Sequence, residues 1–239
     1  MLHGVGVPIP SVEISSAPNR SWYAIRFYRK RVPSNRLGDA MPAKNEDLHG
    51  NAPDKCAVAL LLIDVINDLD FPEGEQLLRH ALPMARQIAA LKERARQGRI
   101  PVIYVNDNFG RWRSDFHTQV EHCLREESRG RPIVELLKPG GDDYFVIKPK
   151  HSGFFSTTLD LVLEYLGVKT VVLAGMAANI CVLFTANDAY MRDLHLVVPS
   201  DCVASNTDDE NRYALEQMRR VLKADIRPST ELTFADWKR

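Results

Sequence analysis

The alternation of apolar and polar positions changes character near residue 52. Before it, no helical or strand period persists; after it, short apolar runs alternate with amphipathic stretches. Residues 57–63 form a continuous apolar run, the pattern of a strand buried on both faces. Next, Leu78, Leu82, Ala85 and Ala89 share a helical face, with Ile88, Leu91 and Ala95 beside it. Pro83 either opens the main part of this helix or kinks it, and Gly98 ends it. Residues 101–105 read as a second strand. The segment 106–142 is polar and irregular, with a short helix expected near 116–127. Residues 144–147 read as a third strand. Leu159, Val162, Leu163 and Leu166 then follow the i, i+3, i+4, i+7 pattern of a helix that Gly167 stops.

The same alternation continues to the C-terminus. Residues 170–174 predict a fourth strand, 180–192 a helix and 195–198 a fifth strand. Thr207 and Glu210 form a capping-box signature ahead of a helix carrying Leu215, Met218 and Leu222. A last short strand is expected near 225–227. Buried strands alternating with helices predict an α/β fold, a doubly wound, mostly parallel six-stranded sheet with helices on both faces. Right-handed crossovers make 3-2-1-4-5-6 the natural strand order. Ligands of such sheets bind beyond the carboxyl ends of the strands, where the winding reverses. Here that point lies between strands 1 and 4, next to Asp64 and the segment 175–181.

Length and composition agree with one folded domain, residues 53–239, behind an extension. The chain has 239 residues, enough to fold without disulfides or a structural metal. Residues 1–52 are rich in Pro, Ser, Asn and Arg and are expected to be a disordered extension. The stretch is alternatively sequence upstream of a true start at Met41 or, being Arg-rich and acid-poor, an organelle transit peptide. No secretory pattern is visible in them, and the longest apolar run, 57–63, is too short to cross a bilayer. Six basic residues against two acidic ones in 1–40 leave the rest of the neutral chain mildly acidic. That is unfavourable for binding nucleic acid, which needs a concentrated basic face. The four cysteines, Cys56, Cys123, Cys181 and Cys202, are scattered without a CxxC pair, so a reducing, cytoplasmic setting is expected.

A nucleotide would be the default ligand of the crevice, yet no GxGxxG follows the first strand and no GxxxxGK[ST] occurs anywhere. The strand ends carry a carboxylate, an amine and a thiol instead: Asp64 after strand 1, Lys148 after strand 3, and Cys181 at the start of the helix after strand 4. Each has an ordinary reading, respectively a turn residue, a surface charge and an inert buried thiol. Together they make chemical sense. A helix start and a nearby ammonium favour a thiolate, and a carboxylate accepts and returns the proton. Backbone N–H groups at the helix start can hold an oxyanion.

On these residues the sequence resembles the isochorismatase-like cysteine hydrolases, which include nicotinamidases and carbamoyl-group amidohydrolases. Three stretches carry the resemblance: Leu61-Leu62-Ile63-Asp64-Val65-Ile66-Asn67-Asp68-Leu69, then Lys148-Pro149-Lys150-His151-Ser152-Gly153-Phe154, then the stretch from Gly175 through Cys181-Val182 to Thr185-Ala186-Asn187-Asp188-Ala189. It implies Asp64 as general base, Lys148 as electrostatic partner and Cys181 as nucleophile. It also implies an oxyanion hole from the backbone N–H groups of Ala177 and Cys181, and a cis peptide between Met176 and Ala177. Ile66, Leu69 and Gly153 depart from the family pattern and bear on pocket shape.

The implied activity is hydrolysis of a C–N bond in a small carboxamide or carbamoyl compound through a thioester, by a homo-oligomer. The alternatives are a vinyl-ether hydrolase of the isochorismatase type, which does not need the cysteine, and a non-catalytic binding protein on the same fold. No cofactor and no metal are expected. Phe109 stands where the metal-binding relatives resemble a His two residues after Asp107, and His117 and His122, five apart, share a helical face poorly. Asn108, Phe109, Arg111 and Trp112 are expected to line the substrate pocket together with Phe154, with an aromatic stacking on a flat substrate and Arg111 pairing with a carboxylate.

Overall fold

The computed structural model describes residues 55–110 and 115–237. The expectations for residues 1–52, and for Arg111 and Trp112, fall outside these. Five parallel strands form the body of a six-stranded sheet: β1 (Val58–Ile63), β2 (Val102–Asp107), β3 (Tyr144–Lys148), β4 (Thr170–Met176) and β5 (His195–Val197). Their order is β3-β2-β1-β4-β5, and the short β6 (Val203–Ala204) pairs with β4. The segment expected as a sixth strand is a single parallel bridge, Asp225 beside Val197 on β5.

Every residue of β1 is buried, because the strand lies between two hydrophobic layers. Val58, Leu60 and Leu62 face α1 (Gly74–Gln97), α2 (Phe116–Cys123) and α3 (Arg131–Leu136). Ala59, Leu61 and Ile63 face α4 (Leu159–Leu166), α5 (Leu183–Tyr190) and α6 (Asp208–Arg220). The alternation follows from the strand's two-residue side-chain period.

Helix α1 runs unbroken through Pro83. The face it buries is Leu77, Ala81, Met84, Ala85, Ile88, Leu91 and Ala95, so the expected stripe is rotated: Leu78, Leu82 and Ala89 lie at its margin. The small side chains of Ala81 and Ala85 let the helix approach the sheet there. Helix α3 and strand β6 lie in stretches too polar or too short to carry a period. The capping box of α6 is formed in full, with Glu210 N–H donating to Thr207 Oγ1 and Thr207 N–H to Glu210 Oε2. Gly167 ends α4 in the left-handed region, φ 75°.

Candidate active site

The carboxyl ends of β1, β3 and β4 meet at one place. At the end of β1, Asp64 leaves the sheet with φ 52°, a conformation in which short polar side chains are over-represented. Its N–H still bonds Val105 O at 3.0 Å. Gly175, at φ 124°, pairs with Ile63 so closely that a Cβ would collide with the Ile63 carbonyl oxygen. The Met176–Ala177 peptide is cis. The chain then enters a wide turn, Ala178–Val182, which passes into α5 and carries Cys181. The helix expected from residue 180 therefore begins two residues earlier, as a looser coil.

Lys148, the last residue of β3, is 1% exposed and sits between the other two groups. Its Nζ lies 2.9 Å from Asp64 Oδ2 and donates to Cys181 Sγ at 3.5 Å and to Lys150 O at 3.1 Å. Asp64 Oδ1 accepts the Asp107 N–H at 2.7 Å, and Asp64 also acts electrostatically on the Cys181 thiol. Thus the ammonium bridges the carboxylate and the sulfur.

Burial raises the pKa of Asp64 above the ordinary carboxylate value, although Lys148 and the thiol pull the other way. Burial alone would lower that of Lys148, but Asp64 and Cys181 outweigh it and hold the ammonium charged. Cys181 differs from the sequence expectation. Burial and the neighbouring Asp64 push its thiol up to about 12, against the pull of Lys148. Burial and that carboxylate oppose a thiolate more strongly than Lys148 favours one. What the arrangement can do is transfer the thiol proton to Asp64 as the sulfur attacks.

The other expected residues among those described lie around this cluster or in the layers behind it. Asn108 is buried at the end of β2, where its N–H donates to Lys148 O at 3.2 Å and its side chain accepts from Gly110 N–H at 2.8 Å. Phe109 packs against the hydrophobic layer on the α1 side. Phe154 is a core residue of the opposite layer, with the Arg192 guanidinium 4.5 Å above its ring. Further residues of the same two stretches, given no role by the sequence, complete the surroundings. Thr185 Oγ1 accepts from Gly153 N–H at 3.0 Å and donates to Cys181 O at 2.7 Å, and Ser152 Oγ donates to Asp188. These bonds fasten the turn after β3 to the helix after β4. The exposed His151 places Nδ1 4.0 Å from Cys181 Sγ.

The residues considered for a metal do not fit one. Among the described residues no group of three or more His, Cys, Asp or Glu could hold a metal ion. His122 Nε2 pairs with Asp68 Oδ2 at 2.8 Å, Asp115 caps α2 through Thr118, and His117 is an exposed helix residue. Asp107 Oδ2 accepts from Phe109 N–H.

The family described as isochorismatase domain matches residues 58–226. The isochorismatase family protein YaaI of Bacillus subtilis is 45% identical over 172 residues, covering 72% of this chain and 94% of that protein. Ureidoacrylate amidohydrolase RutB of Methylobacterium radiotolerans is 28% identical over 229 residues, 84% of this chain and 81% of its own. Among solved structures, N-carbamoylsarcosine amidase from Thermoplasma acidophilum superimposes with a TM-score of 0.57 at 29% identity, over 73% of this chain and 98% of that one.

Proposed function

The chain belongs to the isochorismatase family, whose members are hydrolases that include amidohydrolases, and from that premise we propose that it cleaves a C–N bond of a small carboxamide or carbamoyl compound with Cys181 as nucleophile. The observation that carries this reading is the convergence of three strand ends. Lys148 Nζ lies 2.9 Å from Asp64 and 3.5 Å from the Cys181 sulfur.

The roles follow from the electrostatics. With the thiol pKa at about 12, free thiolate is scarce near neutrality, so the proton must leave as the C–S bond forms. Asp64 takes that proton, and its raised pKa makes it a stronger base than an ordinary aspartate. Lys148 stays charged and compensates the negative charge that moves between carboxylate and sulfur. The backbone N–H groups of Ala177 and Cys181 bind the carbonyl oxygen as it becomes an oxyanion. Asp64 then returns the proton to the leaving nitrogen, the C–N bond breaks, and a thioester remains on Cys181. Water frees the acid.

A screen of ammonia release across small amides and ureides, run beside Cys181→Ala, tests the reading. Turnover of at least one compound that disappears in the variant is the expected result. A variant as active as the unaltered protein would remove Cys181 from the mechanism. The same reading extends to setting and assembly. The described cysteines are all free, as a reducing compartment requires, and no described helix is long and apolar enough to cross a membrane. A homo-oligomer is expected, and light scattering at micromolar concentration tests it.

A further inference from the structure

The lysine and the sulfur that meet at the site come from strands that do not touch. In the order β3-β2-β1-β4, Lys148 at the end of β3 and Cys181 beyond β4 are three strand spacings apart, roughly 14 Å. No ladder of main-chain hydrogen bonds fixes one directly against the other. Lys148 Nζ nevertheless lies 3.5 Å from Cys181 Sγ. Cys181 also sits in a stretch that regular α-helical bonding does not hold: Val182 N–H reaches back to Ala177 O at 3.1 Å, the spacing of a wide turn.

One side chain spans the gap. Thr185 on α5 is 0% exposed, and its hydroxyl is used on both sides. Oγ1 donates to Cys181 O at 2.7 Å and accepts Gly153 N–H at 3.0 Å. The first bond is the ordinary back-bond of a helical threonine to the carbonyl four residues earlier. The second comes from the turn after β3, and it closes a chain. Lys148 Nζ donates to Lys150 O at 3.1 Å, the turn runs on to Gly153, Gly153 donates to Thr185, and Thr185 donates to the carbonyl of the nucleophile. We propose that Thr185 is a positioning residue for acylation, whose hydroxyl holds the Cys181 turn and the Lys148 turn at the distance where ammonium and sulfur meet. This rests on the cysteine-nucleophile reading above. Thr185 moves no proton and forms no bond to the substrate; it acts through the Lys148–Cys181 contact. The tie beside it, from Ser152 Oγ to Asp188, ends on a side chain and not on Cys181, so it sets the turn without setting the nucleophile.

p-Nitrophenyl acetate, which acetylates an active thiol and releases coloured nitrophenolate, measures acylation directly. Thr185→Val removes the hydroxyl and keeps the shape of the side chain. Its acetylation rate per folded molecule should fall by about 10²-fold, the cost of a misplacement near 1 Å. Thr185→Ser, which keeps the bridge, should stay close to the unaltered protein. Thr185→Ala loses the same hydroxyl without pressing a methyl on Gly153 N–H, and takes the place of Thr185→Val if that variant does not fold. The decisive measurement is made in the Lys148→Met background, with acetyl-Cys181 followed by intact mass over long times. There the contact that Thr185 serves is already gone, so Thr185→Val should add little further loss. If Thr185→Val kept the unaltered rate, if it cost the same factor in both backgrounds, or if Thr185→Ser were as slow, the hydroxyl would be a packing contact. The proposal would then fall while the nucleophile assignment stood. If Cys181 of the unaltered protein took no acetyl group, the nucleophile assignment would fail first and this proposal with it.

Discussion

Two buried lysine–aspartate pairs bracket strand β3, and they serve opposite ends. Asp143, just before the strand, pairs with Lys92 of α1 at 2.8 Å; Lys148, at its last position, pairs with Asp64 at 2.9 Å. Lys92 is saturated by oxygen: besides Asp143 it donates to Tyr104 Oη at 2.5 Å and to Lys138 O at 2.9 Å. Asp143 in turn accepts the Gly140 N–H at 2.7 Å and faces Arg96 at 3.4 Å. Lys148 spends one of its donors on a sulfur, a weak acceptor. The pKa directions also diverge. Burial lowers that of Lys92 despite Asp143, whereas Asp64 and the groups around it raise that of Lys148 against burial. The lesson is that a buried ion pair is not by itself a site. The pair at the amino end is closed on oxygen and braces the loop before β3; the pair at the carboxyl end faces a thiol with an exposed histidine beside it.

The largest test of this contrast exchanges the two lysines' fates. Lys148→Met should cut turnover on the order of 10⁴-fold, as loss of a member of a catalytic unit does. Lys92→Met should leave turnover per folded molecule unchanged. It should instead cost about 3–5 kcal/mol of stability, because Asp143 stays buried without its partner. Rates normalised to folded protein and urea denaturation separate these effects, and equal turnover losses in both variants would erase the distinction.

A pH profile gives the next effect. Asp64 must be charged to accept the thiol proton, and its folded pKa lies above 3.8. Acylation of Cys181 should therefore be lost as pH falls, at a higher pH than an ordinary aspartate would give. Lys148 titrates above 10.5, so no fall from its discharge is expected below that value. Stopped-flow acylation by p-nitrophenyl acetate measures both limbs. An acid limb at the ordinary aspartate position would place the base elsewhere.

Alkylation is a milder probe. Iodoacetamide should label Cys181 ahead of the buried Cys123 and Cys202, by access and not by acidity. Its rate should keep rising through the alkaline range, since the thiol titrates near 12. Mass mapping at sub-stoichiometric reagent reads the order, and a rate that levelled off near neutrality would contradict the protonated resting thiol. The smallest effect belongs to the closed pair. Tyr104→Phe removes the hydroxyl that accepts from Lys92 and donates to Leu137 O at 2.6 Å. It should cost about 1–3 kcal/mol, the penalty for buried partners left unsatisfied, with turnover untouched, as thermal melts and kinetics would report.

Much of this was legible in the chain before any fold was drawn. The continuous run 57–63 requires a strand covered on both faces, and the turn at Gly167 and the Thr207–Glu210 cap follow from local chemistry. Right-handed crossovers narrow the strand order to a few candidates, of which the observed one is the commonest for doubly wound sheets. That order alone brings Asp64, Lys148 and Cys181 to one edge of the sheet, because a residue at a strand's carboxyl end is located by sequence position. The rest depended on contacts between segments far apart in sequence. The saturation of Lys92, the rotated face of α1, the core position of Phe154 and the approach of His151 to the sulfur have no local pattern. Most telling is the state of Cys181. The sequence alone put a thiol at a helix start with a lysine in prospect, which favours a thiolate. Only the packed structure buries that thiol beside Asp64, where desolvation and a second negative charge outweigh the pull of the lysine and push its pKa up.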